Sequence, residues 1–165
     1  MKFTTYLRDG AARLAVVHGQ DLVDLNDANA NVPADLRAAL KAGIDLQAGA
    51  VRALESGKRV ALASVKLAPL VPEPGKIICL GLNYYDHAKE GGREKPDYPW
   101  FFFRAPSSLV AHGEAGWLPK VSSRFDYEAE LAVVIGRTVP RHTKEADALQ
   151  YVFGYACFND MSVRD

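Results

Sequence analysis

No charge of either sign is in excess: Lys and Arg together number 20, Asp and Glu also 20, and the formal net charge is zero. A nucleic-acid binder carries a basic surplus, so that class of partner is set aside. Cysteine is scarce. Cys79 and Cys157 have no CxxC partner and sit in apolar, strand-like runs, IICLGL and GYACF. They read as reduced core thiols of a cytoplasmic protein rather than as a disulfide or a zinc site. No hydrophobic run reaches bilayer-spanning length, and the opening MKFTTYLRDG lacks the apolar centre of a signal peptide, so no membrane partner is expected. Internal repeats and low-complexity tracts are absent as well. What remains is a chain that is 48% hydrophobic, enough for a real core.

Along the chain, KFTTYLRDGAARLAVVHGQDLVDL reads as a strand meander, turning at Asp9-Gly10 and again at His18-Gly19-Gln20. Two helices follow, PADLRAALKAG with Pro33 near its start and Gly43 past its end, and IDLQAGAVRALESG stopped by Gly57. After a short strand, RVALA, the stretch VKLAPLVPEPGK reads as a proline-rich linker. Residues 1–72 thus form a small α+β domain, in which Asp21, Asp24 and Asp27 are turn and cap residues rather than metal ligands. Beyond it, KIICLGL is a buried strand and NYYDHAKEGG a short helix capped by Asn83. REKPDYP is an irregular loop, WFFFR a strand of core aromatics, and APSSLVAHGEAGWLP a turn-rich connection. FDYEAELAVVIG is a strand, TKEADALQYV a short helix and FGYACFND the last strand.

Three groups of residues stand out chemically. In FDYEAELAVVIG, Glu128 and Glu130 leave the same face of a strand, about 6–7 Å apart at Cα. Ala132 and Val134 continue that face, and Tyr127, Ala129, Leu131, Val133 and Ile135 make the other, so both faces read as buried. Two unpaired carboxylates in a covered space are costly, and a divalent cation resolves the conflict; Asp160, at the end of the last strand, completes a set of three. The plainer alternative is a solvated strand face and a turn aspartate. His87 and Glu90, at i and i+3 of the DHAKE helix, share one side and make a general-base pair, or else a surface contact only. Gly91 and Gly92 behind them would let the segment move as a lid. Arg104, closing WFFFR, and Arg164 are the candidates to hold a substrate carboxylate, the alternative for Arg104 being a surface ion pair.

Taken in order, GLNYYDHAKE, FFRAPSSLV, DYEAELAVVIG and GYACFNDMSVRD resemble the fumarylacetoacetate hydrolase family, from about Lys76 to Asp165. The resemblance implies an α+β, mainly β fold: a mixed β-sandwich roll, here carrying the small N-terminal α+β domain. It also implies a homodimer and a Mg²⁺ or Mn²⁺ site on Glu128, Glu130 and Asp160. His87 and Glu90 match the family's catalytic dyad on a lid. Two departures stand out. Arg104 replaces a lysine common in the family, and residues 73–165 correspond to the front half of the family's catalytic roll. A C-terminal complement is therefore expected as a partner.

The implied substrate is a small 2-oxo acid, often a 2,4-dioxo acid of the acylpyruvate or fumarylpyruvate type. The implied reaction is C–C hydrolysis by a water that His87 activates, through an enolate. Decarboxylation or keto–enol isomerisation uses the same enolate, and a non-catalytic half-chain active only with its complement is the reading from another class.

Overall fold

The computed structural model describes residues 1–94 and 96–165. Strands β1 (Lys2–Arg8), β2 (Ala11–His18) and β3 (Asp21–Asp24) form the expected meander. Arg8 faces Ala11 across a two-residue turn in which Asp9 and Gly10 have φ of 52° and 79°, the paired positive values that match strand twist. Helix α1 (Leu25–Ala28) follows, where the sequence suggested only strand and turn; Asp24 caps it by accepting from the Asp27 amide. Helices α2 (Leu36–Lys41) and α3 (Leu46–Ser56) are capped the same way by Asp35 and Asp45.

Strands β4 (Arg59–Ala61) and β5 (Lys66–Ala68) complete an antiparallel sheet ordered β4-β3-β2-β1-β5. The stretch expected to be linker therefore begins as strand. Residues 66–68 pair with the open edge of β1, and Thr5 Oγ1 donates to Leu70 O at 2.7 Å. Alternation along β2 sends Leu14 and Val16 to the helix side, with Val23, Leu25, Leu36 and Leu46, and Ala15 to the other side with Tyr6 and Leu22.

One polar cluster crosses this sheet. Arg13 grips Asp24 through Nε at 2.8 Å and Nη2 at 2.9 Å, Tyr6 OH donates to Asp24 Oδ2 at 2.8 Å, and Arg8 forks onto Asp27. Burial opposes ionisation of Asp24, but the Arg13 hydrogen bonds, the Asp27 amide and Tyr6 outweigh it and hold its carboxyl below the usual range. The Arg8 fork does the same for Asp27. Burial and the bond to Asp24 push the Tyr6 phenol up to about 12.

The second part is built of strand pairs. Strand β6 (Ile77–Gly81) leads into α4 (Tyr85–Glu90) and pairs with β7 (Trp100–Arg104). Of the loop REKPDYP, Lys95 lies outside the described residues. The run 125–136 is not one strand. It is β8 (Phe125–Asp126) and β9 (Ala129–Ile135), broken at Tyr127-Glu128. After α5 (Glu145–Ala148), β10 (Val152–Asn159) pairs with β9, and β11 (Ser162–Val163) pairs with β8. A bulge at Phe153 interrupts the β9–β10 ladder, and Gly136 faces it: a Cβ there would lie 2.9 Å from that of Phe153. Phe153 stacks on Phe3 at 5.5 Å, and Lys66 bridges to Glu114 at 2.7 Å, so the two parts touch.

Burial corrects several expectations. The WFFFR aromatics are not core: Phe101 and Phe103 are 63% and 70% exposed, with Ile78 and Leu80 of the supposedly buried β6 beside them. Leu131, Val133 and Ile135 of β9 are exposed with Tyr155, so only the glutamate side of that strand is covered. Cys157 is exposed on the same outer face, and Cys79 is half-buried. No helix among the described residues is long and apolar enough to cross a membrane.

Two outcomes follow from this division. Asp24→Asn is expected to cost about 3 kcal/mol in urea unfolding, because it leaves Arg13 buried against a neutral group. Both network acids titrate low when folded, so their contribution is complete above about pH 4 and fades as pH falls below it; the variant should show a shallower acid limb. The bare apolar faces predict association. Residues 1–165 alone should elute in light-scattering chromatography above the 18.0 kDa monomer, and a soluble, cooperatively unfolding monomer would contradict this.

Candidate functional site

The β9–β10 ladder brings the carboxylates together. Glu130 lies opposite Phe158 and Ala129 opposite Asn159. One step beyond, Asp160 N–H donates to Glu128 O at 2.8 Å, and Glu128 N–H donates to Asn159 Oδ1 at 3.1 Å. Glu128 and Asp160 are thus cross-strand neighbours, with Cβ atoms roughly 5 Å apart by sheet geometry, and Glu130 is the next residue on that side. Asp160 is buried at 6% exposure, and the Glu128 side chain retains 20%.

Strand pair β6–β7 closes over the same spot. Ile77 pairs with Arg104 and Cys79 with Phe102, so Cys79 and Arg104 share its inner face. Burial first, then the charge of Asp160, push the Cys79 thiol up, with Glu130 adding to the effect and Arg104 opposing it. Nothing in the residue pattern joins Cys79 to the carboxylates, and its period-two alternation with Ile77 is the one signal that places it on this face.

Two guanidiniums occupy the centre. Arg104 Nη2 forms an ion pair with Asp160 Oδ1 and donates to Ser162 Oγ at 3.0 Å, with its guanidinium carbon 5.7 Å from the Phe102 ring centroid. Its Nε is buried without a hydrogen-bond partner among the described residues. Arg164 Nη1 pairs with Glu128 Oε1. The half-buried Glu130 carboxylate has neither hydrogen bond nor ion pair among the described residues. Both arginines expected to receive a substrate carboxylate are therefore engaged by the protein's own acids.

Among the described residues no three His, Cys, Asp or Glu side chains close round one point, so the expected ligand set is adjacent without converging. The donor chemistry still fits a hard divalent cation: three carboxylates stand at neighbouring backbone positions, and the unpaired Glu130 and the two arginine pairs show that the spot calls for positive charge.

His87 and Glu90 both ride on α4, which buries Ala88. His87 is half-buried and Glu90 exposed, and no hydrogen bond joins them among the described residues. An exposed i,i+3 pair is worth only a few tenths of a kcal/mol, too little to hold a glutamate out of water. Tyr84 is the N-cap residue of α4 and makes no side-chain cap, so Asn83 does not cap the helix. Tyr84 instead ties the helix to β9, the strand that bears Glu130, its OH accepting from Leu131 N–H at 3.4 Å. Behind the helix, Gly91 is the C-cap and Gly92 has a φ of 64°.

The family model for the fumarylacetoacetate (FAA) hydrolase C-terminal domain matches residues 76–165, the part that holds every group just described. The chain belongs to the fumarylacetoacetate hydrolase family. It is 35% identical over 153 residues to a mitochondrial oxaloacetate tautomerase of Xenopus laevis, covering 92% of this chain and 48% of that protein. With an Escherichia coli homoprotocatechuate catabolism bifunctional isomerase/decarboxylase it shares 43% identity over 101 residues, 61% of this chain and 23% of the other. Maleylpyruvate hydrolase of Sphingobium sp. SYK-6, solved with manganese(II) and pyruvate, superposes with a TM-score of 0.79 at 30% identity, covering 99% of this chain and 60% of that one. The α+β, mainly antiparallel fold is thus that of the family, whose members include hydrolases, isomerases, decarboxylases and tautomerases. The chain spans about half the length of the curated relatives it matches.

Glu130, as the unpaired member, is the sharpest test of the carboxylate set. Glu130→Gln in the full-length protein is expected to lower Mn²⁺ affinity by at least about tenfold, the least that even outer-shell changes cost at metal sites. An unchanged calorimetric titration would remove Glu130 from the site.

Proposed function

We propose that this chain carries the carboxylate and lid elements of a divalent-metal-dependent enzyme that cleaves a C–C bond in a small 2,4-dioxo acid of the acylpyruvate or fumarylpyruvate type. The observation that supports it most is the adjacency of Glu128, Glu130 and Asp160 on one covered side. Glu128, Glu130 and Asp160 would hold a Mg²⁺ or Mn²⁺ ion there, which would supply Lewis acidity towards the 2-oxo acid. The protein's own residues account for the rest. His87, half-buried on a helix flanked by Gly91 and Gly92, takes a proton from water as the oxygen adds to the 4-carbonyl carbon. The C3–C4 bond then breaks and its electron pair passes to C3 as an enolate. The imidazolium returns its proton to C3, giving pyruvate and the second carboxylic acid. Glu90 would orient the imidazole once the lid closes, since no hydrogen bond joins the pair here.

A second reading is keto–enol tautomerisation of a 2-oxo dicarboxylic acid. Two observations favour it: His87 and Glu90 are not bonded, and relatives matching most of this chain include oxaloacetate tautomerases. Tautomerisation needs no activated water, only a proton taken from C3 and returned to oxygen. In either case the exposed apolar faces support an assembled enzyme, as a homodimer or with further chain over the open strand pairs.

His87→Ala in the full-length protein separates the two. Acylpyruvate cleavage is expected to fall about 10²–10⁴-fold with Mn²⁺ binding retained, the usual contribution of an acid–base residue. Loss of acylpyruvate cleavage alongside retained turnover of oxaloacetate identifies His87 as the water-activating base. Equal persistence of both activities would rule out the dyad, and conversion of oxaloacetate enol with no acylpyruvate cleavage in the native protein would favour the second reading.

A further inference from the structure

The two arginines of the site are held very differently. Arg104 is fixed from several sides: by the ion pair to Asp160, by Ser162 Oγ at 3.0 Å, and by the Phe102 ring below. Ser162 Oγ itself donates to Asp160 O at 3.1 Å, so acid, hydroxyl and guanidinium form one closed unit. Arg164 has no such frame. Its side chain is 33% exposed, it lies one residue beyond β11, and its guanidinium has the single partner Glu128 among the described residues. The backbone beneath it is nevertheless fixed, because Arg164 N–H donates to Arg124 O at 2.9 Å. The side chain can therefore swing away while its Cα stays beside the carboxylates.

We propose that Arg164 is a displaceable counter-cation: it neutralises Glu128 in the metal-free protein, yields that carboxylate to an incoming divalent cation, and is thereby released to bind the acid substrate. The proposal rests on the carboxylate set being a metal site, as argued above. The charge balance gives the exchange its direction. Three carboxylates with two guanidiniums leave the metal-free site with one net negative charge, which repels an anionic substrate. A divalent cation reverses that sign and competes directly with Arg164 for Glu128. The freed guanidinium offers a planar fork suited to a carboxylate, next to a site that has just become positive. Arg104 cannot take this part, because Ser162 and Phe102 keep it where it is. The consequence is an order of events: metal first, organic acid second. Arg164 is thus a positioning and specificity residue for the substrate's carboxylate, not a general acid or base.

Binding measurements on the full-length, chelator-stripped protein test this without reference to turnover. Mn²⁺ affinity is measured by calorimetry for the native protein, Arg164→Gln and Arg164→Lys, and pyruvate binding is measured with and without Mn²⁺. Removing the competitor should tighten Mn²⁺ binding to Arg164→Gln by about three- to tenfold, the range expected of a partly exposed ion pair somewhat stronger than a surface one. Arg164→Lys keeps the charge and should stay near the native value. Pyruvate should bind the native protein only with Mn²⁺ present, and should bind Mn²⁺-loaded Arg164→Gln several-fold more weakly. The Arg164 side chain is partly exposed and pairs with Glu128 alone among the described residues, and circular dichroism verifies that each variant keeps the native fold. If Arg164→Gln binds Mn²⁺ equally or more weakly while the native protein binds it, Arg164 supports Glu128 rather than competing for it, and the proposal fails alone. If neither protein binds Mn²⁺, the metal reading fails and takes the proposal with it.

Discussion

Carboxylates crowded on a covered strand face need positive charge close by, and the arrangement of residues 73–165 is organised round that requirement. Glu128, Glu130 and Asp160 stand at neighbouring positions on one covered side, where carboxylates left without partners are costly. Arg104 reaches Asp160 from β7 and Arg164 reaches Glu128 from beyond β11, so the strand pairs β6–β7, β8–β11 and β9–β10 are joined electrostatically at one place. Among the described residues no large apolar cluster of fully buried residues serves this part as one serves the N-terminal sheet. These charge pairs, with the backbone bonds from Asp160 to Glu128 and from Arg164 to Arg124, tie the site's elements together.

The N-terminal sheet meets the same problem and closes it. Asp24 is buried, but Arg13, Tyr6 and the Asp27 amide satisfy its oxygens, and Arg8 takes up Asp27. Every partner belongs to the same sheet or to the helix that Asp24 caps, so the network is complete and structural. The carboxylate site differs in that, among the described residues, Glu130 has no hydrogen bond or ion pair and Arg104 Nε has no partner. An incomplete polar site on a covered face is where ligand chemistry is expected, and a satisfied one is where it is not. That contrast separates the two acidic clusters better than their sequence spacing does.

The two parts also differ in how they treat apolar surface. The N-terminal sheet buries both faces, one under α1–α3 and one against Val60, Leu62, Val65 and Leu67. The strand pairs of the second part bury one face and leave Ile78, Phe101, Phe103, Leu131 and Val133 in water. Exposed apolar faces of this kind mark interaction surfaces. The site lies on the covered side of these pairs, so anything that stabilises the open side also stabilises the site.

Local features were legible in the sequence because their causes are local. Asp9-Gly10 dictates its turn, Asp24 caps the short helix that follows it, and Gly57 ends α3. The order of four short motifs identified the family, and the spacing of Glu128, Glu130 and Asp160 was enough to single them out. The break at Tyr127-Glu128 was not legible, because it depends on β8 pairing with β11 rather than with the partner of β9. Nor was the exposure of the WFFFR aromatics, since an apolar strand reads the same whether or not a second layer covers it. The pairing of Arg164 with Glu128, 36 residues apart, was equally hidden. Residue type and spacing fix which side chains share a strand face, whereas the partner each charge finds is decided by how distant strands pack, and only the tertiary structure contains that.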